Sequence, residues 1–193
     1  MISWINIGVL VTSTALFTCF YLASVRIAKL EKKIGDRAYK RATLNRIISA
    51  LFMTLAAACY VCYFFFPLPV PVLNRFPWPW WISAAAGGLL VIPAFYLWFK
   101  GMADAGKGTM VVTKEFKPYA GIYKRIRHPQ AAGELLVWWV MAFFLHSPFL
   151  ALYSIIWIPL FIWVCLAEEA DLIKRYGKAY TEYAKNTGFF TLK

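Results

Sequence analysis

Acidic residues are scarce in this chain: Asp and Glu together number nine against twenty-one Lys and Arg, with only two His. Cysteine is scarce as well, at four. No repeat, low-complexity segment or domain-separating linker interrupts the sequence, so one domain over residues 1–193 is expected. The cysteines (Cys19, Cys59, Cys62, Cys165) all fall in apolar runs, which implies no disulfide framework. Cys59-x-x-Cys62 has the spacing of a redox or zinc motif, but it lacks a second Cys pair and a His partner. It reads as buried small residues, and no metal is expected. What the chain has in abundance is apolar surface: 61% of residues are hydrophobic and 19% aromatic. Soluble domains run at about 45–50% apolar, so a membrane protein is the first expectation.

Apolar stretches of about 20 residues cross a bilayer as helices, because each backbone polar group must be bonded internally there. Five are expected, at Ile5–Val25, Ile47–Phe66, Trp80–Phe99, Pro129–Leu145 and Pro148–Ala167; the fourth is the shortest and carries Glu134 near its start. The basic residues sort sharply. Eight fall between Arg26 and Arg46, seven between Lys100 and Arg127, and five between Lys174 and Lys193; only Arg75 lies elsewhere. The positive-inside rule puts those three regions in the cytoplasm, the N-terminus outside and the C-terminus inside. Topology and anionic cytoplasmic lipid therefore account for the net charge of +12 without nucleic acid. Met1–Trp4 carries no basic residue and the charges follow the apolar run, so a retained first helix is expected.

The expected fold class is thus all-α and polytopic, with residues 1–99 as scaffold helices. Small residues at Ala56–Ala58 and Ala84–Gly88 permit close helix approach. Trp78, Trp80 and Trp81 sit where an aromatic belt at the outer interface belongs. The inner loop Lys100–Arg127 is different: it is long, broken by Gly101, Gly106, Gly108 and Pro118, and it leads into a polar motif. Loops of that length are functional or disordered, and an ordered cytoplasmic binding loop is expected. Leu172, Tyr176, Tyr180 and Tyr183 recur at spacings of three and four, predicting a C-terminal amphipathic helix that Gly177 can divide in two.

Ionisable groups in or at the edge of a span are costly and so point to function. Three carboxylates qualify: Glu134, Glu168 and Glu169. Adjacent helical side chains point about 100° apart. Glu168 and Glu169 therefore cannot both face one pocket; one meets a ligand while its neighbour pairs with Arg125, Arg127 or another basic group. His128 precedes Pro129, a residue suited to a helix's first turn, where exposed amides can receive an anion.

Taken in order, Gly121, Tyr123, Arg127-His128-Pro129, Gly133, an apolar hairpin, Glu168-Glu169-x-x-Leu172, Tyr176-Gly177, Tyr180 and Tyr183 form a pattern that resembles the isoprenylcysteine carboxyl methyltransferases. It is also similar to the wider group of integral membrane methyltransferases that includes phospholipid N-methyltransferases. The match spans roughly residues 121–190. The resemblance implies that region 100–193 binds S-adenosylmethionine on the cytoplasmic side and releases S-adenosylhomocysteine. Carried over by position, Tyr123, His128, Pro129, Gln130, Ala131, Gly133, Glu168 and Tyr180 are the cofactor-binding candidates, with Glu168 and Glu134 as catalytic candidates. Two positions depart from the pattern. Family members commonly have Tyr where this chain has Ala131, and the eukaryotic enzymes have Arg where it has Val164.

The function these features imply is methyl transfer to a lipophilic or lipidated acceptor reached through membrane lipid, favouring the carboxylate of a prenylated-cysteine-like substrate. A carboxylate needs no base, whereas an amine must lose a proton. A phospholipid or amine N-methyltransferase is the first alternative, and an NADPH-dependent sterol-type reductase is a second. A transporter or channel subunit without enzymatic activity would put polar groups near mid-membrane in paired broken helices, which this asymmetric sequence lacks.

Overall fold

A computed structural model describes residues 1–71, 74–115 and 120–193. Pro118, one of the loop breakers, lies outside the described residues. Among the described residues the chain forms seven α-helices: α1 (Ile2–Val25), α2 (Ile27–Ile34), α3 (Arg37–Phe65), α4 (Trp80–Ala105), α5 (Pro129–Phe144), α6 (Pro148–Tyr176) and α7 (Lys178–Asn186). Two 3₁₀ turns, Gly106–Thr109 and Gly121–Lys124, lie in the inner loop.

Among the described residues four helical segments are long and apolar enough to cross a membrane: Ile2–Val25, Arg37–Phe65, Trp80–Thr109 and Pro148–Tyr176. The fifth expected span is the helix α5, but its 16 residues rise only about 24 Å, short of the roughly 30 Å hydrocarbon core. Large apolar side chains such as Leu51, Leu89, Ile92, Ile155 and Trp163 lie exposed along the long helices. A continuous apolar exterior of this kind suits lipid and not water.

The helices pair as α1 with α3 and α4 with α5, and α6 joins the two pairs. The α4–α5 contact is close because of Gly133. A Cβ there would stand 2.6 Å from the Ala94 carbonyl oxygen and 2.8 Å from the Trp98 Cβ, so only glycine lets the two backbones meet. At the centre, the Trp138 and Trp157 rings stack at 4.0 Å with planes 5° apart. The Trp157 indole donates to the Tyr60 hydroxyl at 3.2 Å. Ser154 donates to the Trp138 carbonyl at 3.1 Å and lies 3.2 Å from Tyr60 Oη. Each polar group in this apolar interior thus has a partner, as a dry core requires.

The two ends of the bundle differ. At one end Trp78 and His146 both bond the Ser83 hydroxyl, at 2.9 and 2.8 Å, and Trp80 donates to the Phe144 carbonyl. At the other end the basic segments converge. Val112 N–H donates to Thr43 at 3.0 Å, Lys114 pairs with Asp36 at 3.0 Å, and Arg175 donates to the Thr113 carbonyl at 2.8 Å. These contacts strap the inner loop across α3 and α6. Here Asp171 on α6 also accepts the Ala28 N–H at 2.8 Å, serving the first turn of α2 where the chain bends at Arg26. The bend between α6 and α7 falls at Gly177, whose φ of +55° is left-handed and disfavours a side chain.

Candidate active site

The strapped end holds a cavity of about 170 Å³ between α1, α3, the inner loop, the start of α5 and the α6–α7 bend. Six of the residues expected from the sequence line it: Tyr123, His128, Gln130, Ala131, Glu168 and Tyr180. Three do not. Pro129 is packed at the first turn of α5, Gly133 faces α4 as described above, and Glu134 sits beside Trp98.

The two adjacent glutamates diverge as helical geometry requires. Glu168 faces the cavity, with Oε1 3.4 Å from Arg46 Nη2 and Oε2 3.9 Å from His128 Nδ1. Glu169 turns away and bonds Arg127 Nε at 2.6 Å and His128 Nε2 at 3.0 Å. A carboxylate can only accept, so Nε2 of His128 carries the proton of that bond. The imidazole thereby bridges the two carboxylates and presents Nδ1 on the Glu168 side. Its ring is held edge-on by Phe189, with centroids 4.9 Å apart.

Backbone pairing fixes this motif. The segment after α7 runs parallel to Arg125–His128: Gly188 N–H donates to the Arg125 carbonyl at 2.9 Å, Arg127 N–H to the Gly188 carbonyl at 2.8 Å, and His128 N–H to the Phe189 carbonyl at 3.2 Å. The Arg127 guanidinium adds bonds to the Ala184 carbonyl at 2.8 Å and to the Thr187 carbonyl. Glu169, Arg127 and the C-terminal segment form one buttress behind the cavity.

Gln130 ties the near wall, its amide donating to Tyr123 Oη at 3.0 Å and Thr109 Oγ1 at 3.1 Å. Tyr183 donates to the Tyr123 carbonyl at 2.8 Å. Asp104 accepts the Ile122 N–H at 2.7 Å and so starts the turn that carries Tyr123. Burial, and then the charges of Glu169 and Glu168, push the Tyr180 phenol well above its ordinary value. It stays protonated and can donate across the physiological range.

Sequence reasoning missed Tyr21, Ile27 and Arg46, which come from the first three helices and line the cavity. Arg46 is the last of the first basic cluster, and its position immediately before the apolar run at Ile47 is the only signal it leaves in the sequence. Tyr21 sits in an apolar run and leaves none. Arg175 also lines the cavity, engaged by Asp171, the Thr113 carbonyl and Tyr176. No group of three or more His, Cys, Asp or Glu suited to a metal occurs among the described residues.

The cavity joins five tyrosines (Tyr21, Tyr123, Tyr176, Tyr180, Tyr183) to a carboxylate facing inward. Aromatic faces with a carboxylate attract an organic cation, more strongly where water is excluded. A family model described as phospholipid methyltransferase matches residues 82–179. No curated protein and no solved structure matches the chain.

Proposed function

Because this chain belongs to the phospholipid methyltransferase family, we propose that it is a multi-pass membrane enzyme transferring a methyl group from S-adenosylmethionine to a lipophilic acceptor. The observation that carries this reading is the inward-facing Glu168 among the tyrosines of a single cavity. These residues suit the donor: the tyrosine rings its sulfonium, Glu168 its ammonium or ribose hydroxyls, and the protonated Tyr180 an acceptor atom. When bound, the donor supplies an electrophilic methyl group on a positively charged sulfur.

The protein's part is to bind, align and dry the reactants. Transfer from a cation to an anionic acceptor disperses charge, so a site closed to water favours it when the partners are aligned. Glu168 and the tyrosines hold the positive partner. His128, fixed by Glu169 and Phe189, sets the orientation of the wall at the start of α5. The 106–115 strap covers the cavity from the aqueous side. We place that side in the cytoplasm, with α5 as a fifth, short crossing of the bilayer, residues 1–99 chiefly as supporting helices, and α7 lying along the inner face. The acceptor then enters from lipid, past Glu134.

For the acceptor atom, the carboxylate of a prenylated-cysteine-like substrate is the first reading. An ionised carboxylate is already nucleophilic, so this acceptor needs no base from the site. The amine of a phospholipid headgroup is the second, favoured by the family match. One experiment separates them. Purified protein is given methyl-labelled donor with a prenylcysteine or an aminophospholipid, and the product is treated with base. Label released as methanol identifies an ester, and label retained identifies an N-methyl group. Transfer to neither acceptor, with the donor bound, would remove both substrates.

A further inference from the structure

Arg46 is a charged cavity residue that the matched segment 82–179 does not cover: it lies on α3. Its side chain, 12% exposed, meets the 26%-exposed Glu168 side chain at 3.4 Å, so the cavity wall carries a cation and an anion side by side. The guanidinium stands 5.7 Å over the Tyr21 ring and reaches the Gly108 and Thr109 carbonyls at 3.4 Å each. These contacts keep it against the wall at the edge of the strap.

A neighbouring pair of opposite charges is the complement of an α-amino-acid zwitterion, whose ammonium and carboxylate are attached to one carbon. Resting on the reading of this cavity as the donor site, we infer that Arg46 binds the carboxylate of S-adenosylmethionine's amino-acid end while Glu168 takes its ammonium. The planar guanidinium fork matches a carboxylate in two parallel bonds, which an ammonium-bearing lysine cannot reproduce. Exchange of the Arg46–Glu168 pair for two new pairs keeps each of these charges partnered when the donor binds. The other two cavity arginines are committed elsewhere: Arg127 to Glu169 and the C-terminal carbonyls, Arg175 to Asp171 and the Thr113 carbonyl. Recognition of the donor thus draws on both halves of the chain.

The test is calorimetric titration of the full-length protein with S-adenosylhomocysteine and with 5′-methylthioadenosine, which lacks the amino-acid end. Arg46→Gln should weaken S-adenosylhomocysteine binding roughly tenfold to a hundredfold and leave methylthioadenosine binding unchanged, and Arg46→Lys should restore part of the loss. Decarboxylated S-adenosylhomocysteine, titrated into the unmodified protein, should show a loss of the same order; this arm stands even if Arg46→Gln fails to fold. Unchanged S-adenosylhomocysteine affinity in Arg46→Gln, equal losses for both ligands, or full affinity for the decarboxylated analogue would overturn the role of Arg46. Failure of the unmodified protein to bind S-adenosylhomocysteine at all would instead overturn the reading of the cavity.

Discussion

Glu168 and Glu169 are neighbours in sequence, yet their substitutions should have opposite signatures. Glu169 Oε1 receives bonds from Arg127 at 2.6 Å and His128 at 3.0 Å, and those partners are 14% and 7% exposed. Removal of one member of a buried pair costs about 3–5 kcal/mol. Arg127 keeps the carbonyls of Ala184 and Thr187, so Glu169→Ala should fall near the lower end, about 3 kcal/mol. For a chain of this size each kcal/mol moves the midpoint by about 2–4 °C, which gives a drop of roughly 6–12 °C. The segment after α7 should also become more sensitive to protease, because Glu169 holds the Arg127 guanidinium in place beneath it. Glu168→Gln should do the reverse, leaving the melting temperature nearly in place while weakening S-adenosylhomocysteine binding by roughly tenfold or more. The assays are thermal unfolding and limited proteolysis in lipid nanodiscs, with calorimetry for the ligand. A melting temperature within about 1 °C of the parent for Glu169→Ala, with unaltered proteolysis, would refute the buttress.

Other substitutions probe separate contacts. Gly133→Ala places a methyl group within 2.6 Å of the Ala94 carbonyl. Since backbone must move to relieve it, a destabilisation of about 1–3 kcal/mol should appear on unfolding. His128→Ala should chiefly weaken S-adenosylhomocysteine binding, because the imidazole shapes the wall beside Glu168. Glu134→Ala should lower turnover with that affinity nearly unchanged; a fall in melting temperature with full turnover per folded molecule would assign Glu134 to helix packing beside Trp98. Cysteines placed at Gly35 and Asn74 in a cysteine-free background should be labelled from opposite sides of the membrane, Gly35 from the cytoplasm. Labelling of both from one side would overturn the five-crossing topology.

The apolar runs located the helices well, because a helix in lipid must be continuous. They marked only the apolar part of each. α3 begins at Arg37 and α6 continues to Tyr176, since Lys and Arg sustain a helix readily and the backbone need not break where apolar composition ends. The break at Gly177 was legible from glycine's cost inside a helix. The one at Arg26 was not, because no breaker stands there and its cap, Asp171, comes from α6. In the site, the divergence of Glu168 and Glu169 follows from helical geometry alone. The assignment of Glu169 to Arg127 needed the fold, as did the docking of Gly188 on Arg125–Arg127. Backbone pairing between distant segments leaves no mark in side-chain pattern. Arg46 was hidden for another reason: among the basic residues of one cluster, an arginine that lines the cavity looks like its neighbours.

Arg46 and Glu168 stand 122 positions apart, and that distance bears on how the protein tolerates recombination. A hybrid joining residues 1–80 of one homologue to the remainder of another keeps every position of the family's matched segment, yet inherits its guanidinium and its carboxylate from different parents. Such exchanges should succeed only when both parents place the pair in the same register, so the two halves of this protein have to change together even though no single helix contains the site.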